Sequence, residues 1–354
     1  LLCNDEPEKY LENALKGVAS QTYTKENISL VIVYNPIENA DIHLQYIHET
    51  IGLFETQLPK TIVLPQQTNL GFSGGNNLGM QWAVDNNFDY VFLHNADGFT
   101  TADTISSLVG AMEEDKKIGQ AQSLILLYPE QNLINTTGNK LHYLDIGYCG
   151  NFREPIMNHK LPAVYDIGYA SGASTMLRVD LLKQYGFWLG EFFMYHEDTE
   201  YSLRLKIRDF RIVAVSNSVF YHQYQFSKNV KKFFWIERNR HVLKYLFYKW
   251  PTIILTIPLE ILYNLGLLVI AWKNNWLKEL FKVYIYWLKP STWHTWYLIR
   301  LKNLKERKIS DRDLLNQSVK TVEMAEVVVS KPIKLVMNAV FTFYYFLLKI
   351  LVRW

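Results

Sequence analysis

The stretch Tyr90–Gly98, YVFLHNADG, constrains the fold more than any other part of the chain. Tyr90, Val91, Phe92 and Leu93 are aromatic or branched and uncharged, the make-up of a buried β-strand. The run then stops in Asn95-Ala96-Asp97-Gly98. Open α/β sheets bind ligands beyond the carboxyl ends of their strands. A carboxylate placed there can hold a hard divalent cation against a diphosphate. Asn, Asp and Gly are also turn residues, so an ordinary strand exit is the other reading of this stretch alone.

The flanking chain alternates strand and helix. Helices are predicted near Lys9–Ala19 and Ile42–Leu53, and strands over Ile28–Tyr34 and Thr61–Leu64. A Gly-rich loop, Asn69–Gly79, then leads into a helix ending near Asn86. Beyond Tyr90–Leu93 come a helix (Thr101–Glu114), a strand (Ile118–Leu127) and an irregular segment (Asn132–Val164). The small residues Ala170–Ser174, a helix over Val179–Tyr185, a helix over Tyr201–Arg208 and strands over Val213–Val215 and Val219–Tyr221 follow. This alternation predicts an α/β fold with a mostly parallel sheet flanked by helices.

At 354 residues there is room for one domain of about 200–250 residues and an appendage. A net charge of +3 is too mild to indicate nucleic acid. Cys3 and Cys149 form neither a disulfide framework nor a metal-ligand spacing, which points to a reducing compartment. Leu1-Leu2-Cys3-Asn4 reads as the tail of a strand, so the natural N-terminus is expected to lie further upstream.

After Ser227 the composition changes, and the domain division is placed at 1–227 and 228–354. Lys228–Tyr248 is basic and aromatic, while 251–272 and 333–354 are apolar runs of bilayer-spanning length. The stretch between them is rich in Lys and Arg, and a double crossing would put it on the non-cytoplasmic side, against the positive-inside tendency. Helices lying in or re-entering the membrane interface are therefore expected, with Trp272, Trp276, Trp287, Trp293 and Trp296 as anchors.

Three more features carry chemistry. The run NLGFSGGNNLG lacks the Gly-Lys-Ser/Thr of a phosphate-binding P-loop and the spacing of a dinucleotide fingerprint. It reads either as a tight turn or as backbone donors facing a phosphate or sugar. Glu197-Asp198 lies between an aromatic run and a helix. Acids there favour the helix dipole, and one of them could instead act as a general base. His222 ends an apolar strand, where a neutral imidazole is either structural or completes a site begun by Asp97.

From Asn4 to Asn239 these features line up with a family. The chain resembles the GT-A glycosyltransferases of family 2, most closely the bacterial rhamnosyltransferase-like branch. NLGFSGGNNLGM (Asn69–Met80) is similar to that branch's N-x-G-F-x-G-G-x-N-x-G signature, and HNADG (His94–Gly98) to its N-P-D variant of D-x-D. GYASGASTMLRVDLL (Gly168–Leu182) and FFMYHEDTEYSLRL (Phe192–Leu205) resemble the acceptor-side and E-D-x-D segments, and Arg238-Asn239 matches a further recurrent pair. The resemblance implies that Asp97 binds Mg²⁺ or Mn²⁺ on the donor diphosphate, with Asn95 beside it and His222 as a further ligand. It implies Asp198 as general base, with Glu197 orienting it or the acceptor. Asn4, Asp5, Asn35, Gly74, Gly75, Asn76 and Asn77 fall on the donor side, and Gly172, Tyr195 and Arg204 on the acceptor side.

The implied activity is inverting transfer of a sugar, rhamnose from a dTDP donor foremost, to a glycan or lipid-linked glycan at the cytoplasmic membrane face. UDP-linked galactofuranose or a hexose is the alternative within the fold. Three positions depart from the pattern: Tyr34 stands where Asp precedes Asn35, Glu200 ends the E-D-x-D form, and Ala96 replaces Pro. The Tyr34 change bears on nucleotide selectivity. A nucleotidyltransferase would need a basic triphosphate loop, which the region before Tyr34 lacks. A silent scaffold would not need Asp97 and Asp198.

Overall fold

The computed structural model describes residues 1–4, 8–36, 40–224, 230–323 and 331–354. The first part alternates as predicted: β1 (Leu2–Cys3), α1 (Glu8–Ala19), β2 (Ser29–Tyr34), α2 (Ala40–Leu53), β3 (Lys60–Pro65), α3 (Gly71–Asp85) and β4 (Tyr90–His94). Strands β1, β2 and β3 form a parallel sheet in that order, as helical crossovers require. Leu11 and Leu15 of α1 and Ile47 of α2 bury its β2 residues Leu30, Ile32 and Tyr34. Leu2 also bridges Asn95 in parallel, so this sheet abuts the exit of β4.

The second part runs through β5 (Gly98–Thr100), α4 (Thr104–Glu114), β6 (Ile118–Leu127), β7 (Ile134–Thr136), β8 (Lys140–Leu141), β9 (Gly147–Tyr148) and β10 (Val164–Asp166). It continues with β11 (Ser174–Arg178), α5 (Val179–Tyr185), α6 (Glu197–Lys206) and β12 (Arg211–His222). Its sheet has the order β10-β12-β6-β11-β4, with β5 on β12 and β7 on β6. Strand β12 is parallel to β6, but β11 is antiparallel to both β4 and β6. This half is therefore mixed rather than mostly parallel. No α-helix lies between β6 and β11, and a chain that returns without a helical crossover pairs antiparallel.

Three boundaries differ from the sequence reading. The Gly-rich run is not a loop: from Gly71 onward it is the start of α3. Helix α6 begins at Glu197 rather than Tyr201, with three acids in its first turn. The two strands expected around Val213 and Val219 are one strand with a bulge between Val215 and Val219.

The C-terminal part is helical: α7 (Val230–Phe247), α8 (Trp250–Lys273), α9 (Leu277–Leu288), α10 (Pro290–Glu306), α11 (Asp311–Gln317) and α12 (Lys331–Leu351). The expected boundary at 227/228 falls outside the described residues. One core joins both parts. Tyr143, Phe192, Leu203 and Ile207 pack with Val242, Leu246, Trp296 and Tyr345. Trp296 is thus no membrane anchor, since it is buried edge-on to Phe192 and donates its indole N–H to the Tyr286 hydroxyl. Of the expected anchors, Trp272 and Trp293 are exposed. Helices α8 and α12 (from Pro332) are long and apolar enough to cross a bilayer. Their exposed side chains include Ile261, Leu265, Val269, Phe343, Phe346 and Ile350.

Candidate active site

Strand β5 pairs antiparallel with the end of β12, setting Gly98 opposite His222. Only glycine fits there, because a Cβ would lie 2.2 Å from the Phe220 ring. This approach brings His222 Nε2 to 3.1 Å from Asp97 Oδ1, while His222 Nδ1 lies 2.9 Å from Asn135 Oδ1 on β7. With the Asn135 oxygen toward it, Nδ1 is the donor of that contact, and Nε2 is left facing Asp97. A lone pair facing a carboxylate is repulsive unless a proton or a cation lies between them. Burial pushes Asp97 up, but with a proton between the two groups the charge and hydrogen bond of His222 outweigh it and hold the carboxyl below its ordinary value.

A carboxylate oxygen and an imidazole nitrogen fit a divalent cation, Mn²⁺ at least as well as Mg²⁺. Among the described residues no cluster of three or more such ligands occurs, so substrate oxygens would complete the shell. Behind this pair His94 is buried and pushed down to about 3, hence neutral, with Nδ1 2.7 Å from the Asn95 carbonyl. It packs edge-on against Phe220 and secures the strand exit.

The second centre is the start of α6. Asp198 Oδ1 accepts from the Thr199 N–H (2.6 Å) and hydroxyl (3.2 Å), and Oδ2 accepts from the Gly172 N–H (3.1 Å). Burial raises the Asp198 carboxyl and these donors counteract it. Glu197 is 3% exposed, and its Oε2 has no partner. Burial, then the neighbouring Asp198 charge, pushes Glu197 well above the usual carboxylate range. Of this buried pair, Glu197 is pushed the harder toward its neutral form, while the three donors favour a charge on Asp198.

A short backbone path links the two centres. Asn95 N–H donates to the Ala173 carbonyl (3.0 Å), and the preceding Gly172 N–H holds Asp198. Sequence reasoning missed what anchors this path. Buried side chains of β6 hold it: Gln122 Oε1 accepts from Ser171 N–H (2.7 Å), and Ser123 Oγ accepts from Ser174 (2.8 Å). Asn135 was missed as well. It lies in the Asn132–Val164 segment, which the sequence presents as irregular and without a strand signal.

Other expected site residues take different parts. Asn35 is 2% exposed and braces the turn into α3: Oδ1 accepts from Leu70 N–H, and Nδ2 donates to Asn69 Oδ1 and the Gly71 carbonyl. Gly74 and Gly75 lie inside α3, not in a cradle loop, and a Cβ on Gly75 would meet Leu2 at 2.5 Å. Asn76 donates to the Phe72 carbonyl one helical turn back and Asn77 to the Trp188 carbonyl. Arg204 is buried, doubly bonded to Glu200, and donates to the carbonyls of Tyr185, Gly186 and Phe187. The contacts of these residues run to the surrounding backbone and side chains. Asn4 follows β1 and borders a small cavity with Tyr46 and Ala96, whereas Asp5 lies outside the described residues. Tyr195 leads into α6 with a left-handed backbone, and burial raises its hydroxyl to about 12. A cavity of about 530 Å³ between β2 and β4 is lined by strand residues together with polar residues such as Glu26, Asn86 and Asp89, and reaches neither Asp97 nor Asp198.

A parallel sheet abutting a mixed one, with an acid past the strand at their junction, is the layout of a GT-A glycosyltransferase. The model for Glycosyl transferase family 2 matches residues 2–186, and the chain belongs to that family. Its fold is similar to a crystal structure of GalNAc-T7 with UDP, GalNAc and Mn²⁺ (TM-score 0.55, 13% identity), covering 70% of this chain and 47% of that one. Staphylococcus aureus TarS 1–349 in complex with UDP aligns over 99% of this chain and 89% of its own, with TM-score 0.49 and 13% identity. No curated protein matches the chain. Asp198, His222 and Arg238-Asn239 lie beyond the family match.

Proposed function

We propose that this family 2 glycosyltransferase is an inverting, metal-dependent enzyme. It moves a sugar, rhamnose foremost, from a dTDP or UDP diphosphate to a hydroxyl of a glycan or lipid-linked glycan in cell-surface polysaccharide synthesis. The observation that carries this reading is the joining of the Asp97–His222 pair to the triply bonded Asp198 through Asn95 and Gly172–Ala173. Asp198 accepts the proton of the acceptor hydroxyl as its oxygen bonds to the anomeric carbon. The bond from that carbon to the diphosphate breaks, and its electron pair leaves with the nucleoside diphosphate. Burial and the Asp198 charge favour the neutral form of Glu197, so the Glu197–Asp198 pair keeps one negative charge. Asp97 and His222 hold the divalent cation, and Asn135 fixes the ring that serves it. When bound, the cation supplies positive charge against the departing diphosphate. The Mn²⁺ and UDP in the GalNAc-T7 structure support this assignment of donor and ion class.

In this reading the enzyme works at the cytoplasmic membrane face, where a lipid-linked acceptor is within reach, and the apolar lengths of α8 and α12 support it. Glu260, near the middle of α8, is ion-paired to Arg240 (3.0 Å) and Lys244 (3.3 Å) of α7. A helix pinned at mid-length to the soluble half suits an interfacial position better than a crossing.

The test is nucleoside diphosphate release in nanodiscs from dTDP-rhamnose, UDP-galactofuranose, UDP-glucose and GDP-mannose, with and without Mg²⁺ or Mn²⁺. Metal-dependent release from one donor, lost in Asp97→Ala, is the expected result. Release that is indifferent to chelator would refute the metal role, and no release with any donor and a supplied glycan acceptor would refute the transfer reading.

A further inference from the structure

Asp198 stands at the end of a backbone path that side chains disfavour. Phe193, Tyr195 and His196 all have positive φ, of 60°, 66° and 67°. Residues other than glycine hold this conformation only when their surroundings impose it. The imposing groups come from α7. Asn239 Nδ2 donates to three carbonyls of the path, Phe192 (3.1 Å), Met194 (3.0 Å) and Tyr195 (2.6 Å). Arg238 Nη2 donates to the carbonyls of Glu191 (2.6 Å) and Phe192 (3.2 Å). Arg238 Nε also donates to Asn239 Oδ1 (2.7 Å), which forces the Asn239 amide nitrogen toward the loop. The Phe193 ring stacks on Trp235 at 4.9 Å, and the Arg238 guanidinium lies 4.5 Å from the Trp235 ring centre. Trp235, Arg238 and Asn239 are three and four residues apart, so they share one face of α7. On the other side Ser73 N–H of α3 holds the Phe193 carbonyl (3.2 Å).

We infer that Trp235, Arg238 and Asn239 are positioning residues for the transfer: together they hold 191–196 in the strained path that aims the Asp198 carboxylate. This rests on Asp198 being the base. It makes the first helix of the C-terminal part a component of the catalytic machinery and gives the Arg238-Asn239 pair a physical role. The ligands of the donor side, Asp97 and His222, sit on β-strand ends that α7 does not hold, so disturbing the latch separates turnover from donor binding.

The experiment uses the full chain in nanodiscs with Asn239→Asp and Asn239→Ala. Asn239→Asp keeps the size of the side chain but replaces two N–H groups, shared among three carbonyls, with an oxygen facing oxygens. The expected result is a fall in kcat of about 10–100-fold, the cost of a misplaced catalytic group, with donor KM and nucleotide affinity nearly unchanged. Hydrogen exchange is the readout independent of activity. Amides of 193–199 should lose protection in both variants while those of β6 keep theirs. His196→Gly added to Asn239→Ala should recover part of the turnover, since glycine takes positive φ without strain. Parental kcat together with parental exchange at 193–199 would overturn the inference. So would a loss of protection that extends over β6 with equal loss of nucleotide affinity, the mark of a merely structural role. If the parent transfers no sugar, the base assignment fails, and the exchange pattern alone decides whether α7 holds the loop.

Discussion

Asp198→Asn probes the proposed chemistry with opposing terms that the structure lets one weigh. The carboxylate receives three donors, from Gly172 N–H, Thr199 N–H and the Thr199 hydroxyl. An amide keeps one oxygen. With its nitrogen at Oδ2 the Gly172 N–H loses its acceptor, and with its nitrogen at Oδ1 the Thr199 N–H does. Leaving a buried donor unpaired costs about 1–3 kcal/mol. The offsetting term comes from ionisation. Burial raises the Asp198 carboxyl, so its stabilising contribution is complete below the unfolded value near about 3.9 and is lost as pH rises through the folded value. At neutral pH the parent therefore carries the cost of a buried charge that the amide lacks. Stability should change by no more than about 1–2 kcal/mol in either direction, read from urea unfolding. Turnover should fall by about 10²–10⁴-fold, the range for loss of a general base, with nucleotide affinity by calorimetry nearly unchanged. Glu197→Gln is the companion variant. Burial pushes Glu197 toward its neutral form, so an amide of the same shape should keep most of the activity. The parental kcat/KM should rise with pH along an acid limb placed above the ordinary carboxylate range. Parental turnover in Asp198→Asn, or collapse in Glu197→Gln alone, would refute this division of roles.

Three further outcomes are expected. Asn135→Leu removes the oxygen that orients His222, and the Mn²⁺ concentration for half-activation should rise about 10–100-fold, while an unchanged metal titration would deny His222 its role. Arg204→Ala leaves Glu200 buried without its counter-charge and should cost about 3–5 kcal/mol in unfolding free energy, whereas normal stability with a raised acceptor KM would return Arg204 to the acceptor site. Leu265→Asp combined with Phe346→Asp alters residues 55% and 52% exposed, so the fold should persist while co-sedimentation with phospholipid vesicles is lost. Equal sedimentation of parent and variant would remove the membrane assignment.

Much of the chain was legible because local patterns carry the same information as the fold. The uncharged run Tyr90–Leu93 became β4, and the apolar spacing around Leu11 and Leu15 became the buried face of α1. Asp97, Asp198 and His222 stand out in the sequence because acids and a histidine close apolar or aromatic segments. Asn35, Asn76 and Arg204 are polar residues near the site whose contacts with backbone carbonyls only the fold reveals, because sequence does not show which carbonyl a polar side chain meets. Gly71–Gly79 has the composition of a loop, yet it is helical, and Gly75 lets that helix lie close against β1, a reason visible only once Leu2 is in place.

What the sequence determined by itself is the set of elements and the chemical groups at their ends, since strand and helix periodicity and turn chemistry act over a few residues. The tertiary structure decided which of those groups meet. His222 faces Asp97 because β5 pairs with β12 across Gly98, and Asp198 is aimed because Asn239, more than 40 residues later, supplies three donations that no local preference encodes. Long-range pairing sets such contacts, because a buried polar group must find its partner wherever the fold brings one within hydrogen-bond reach.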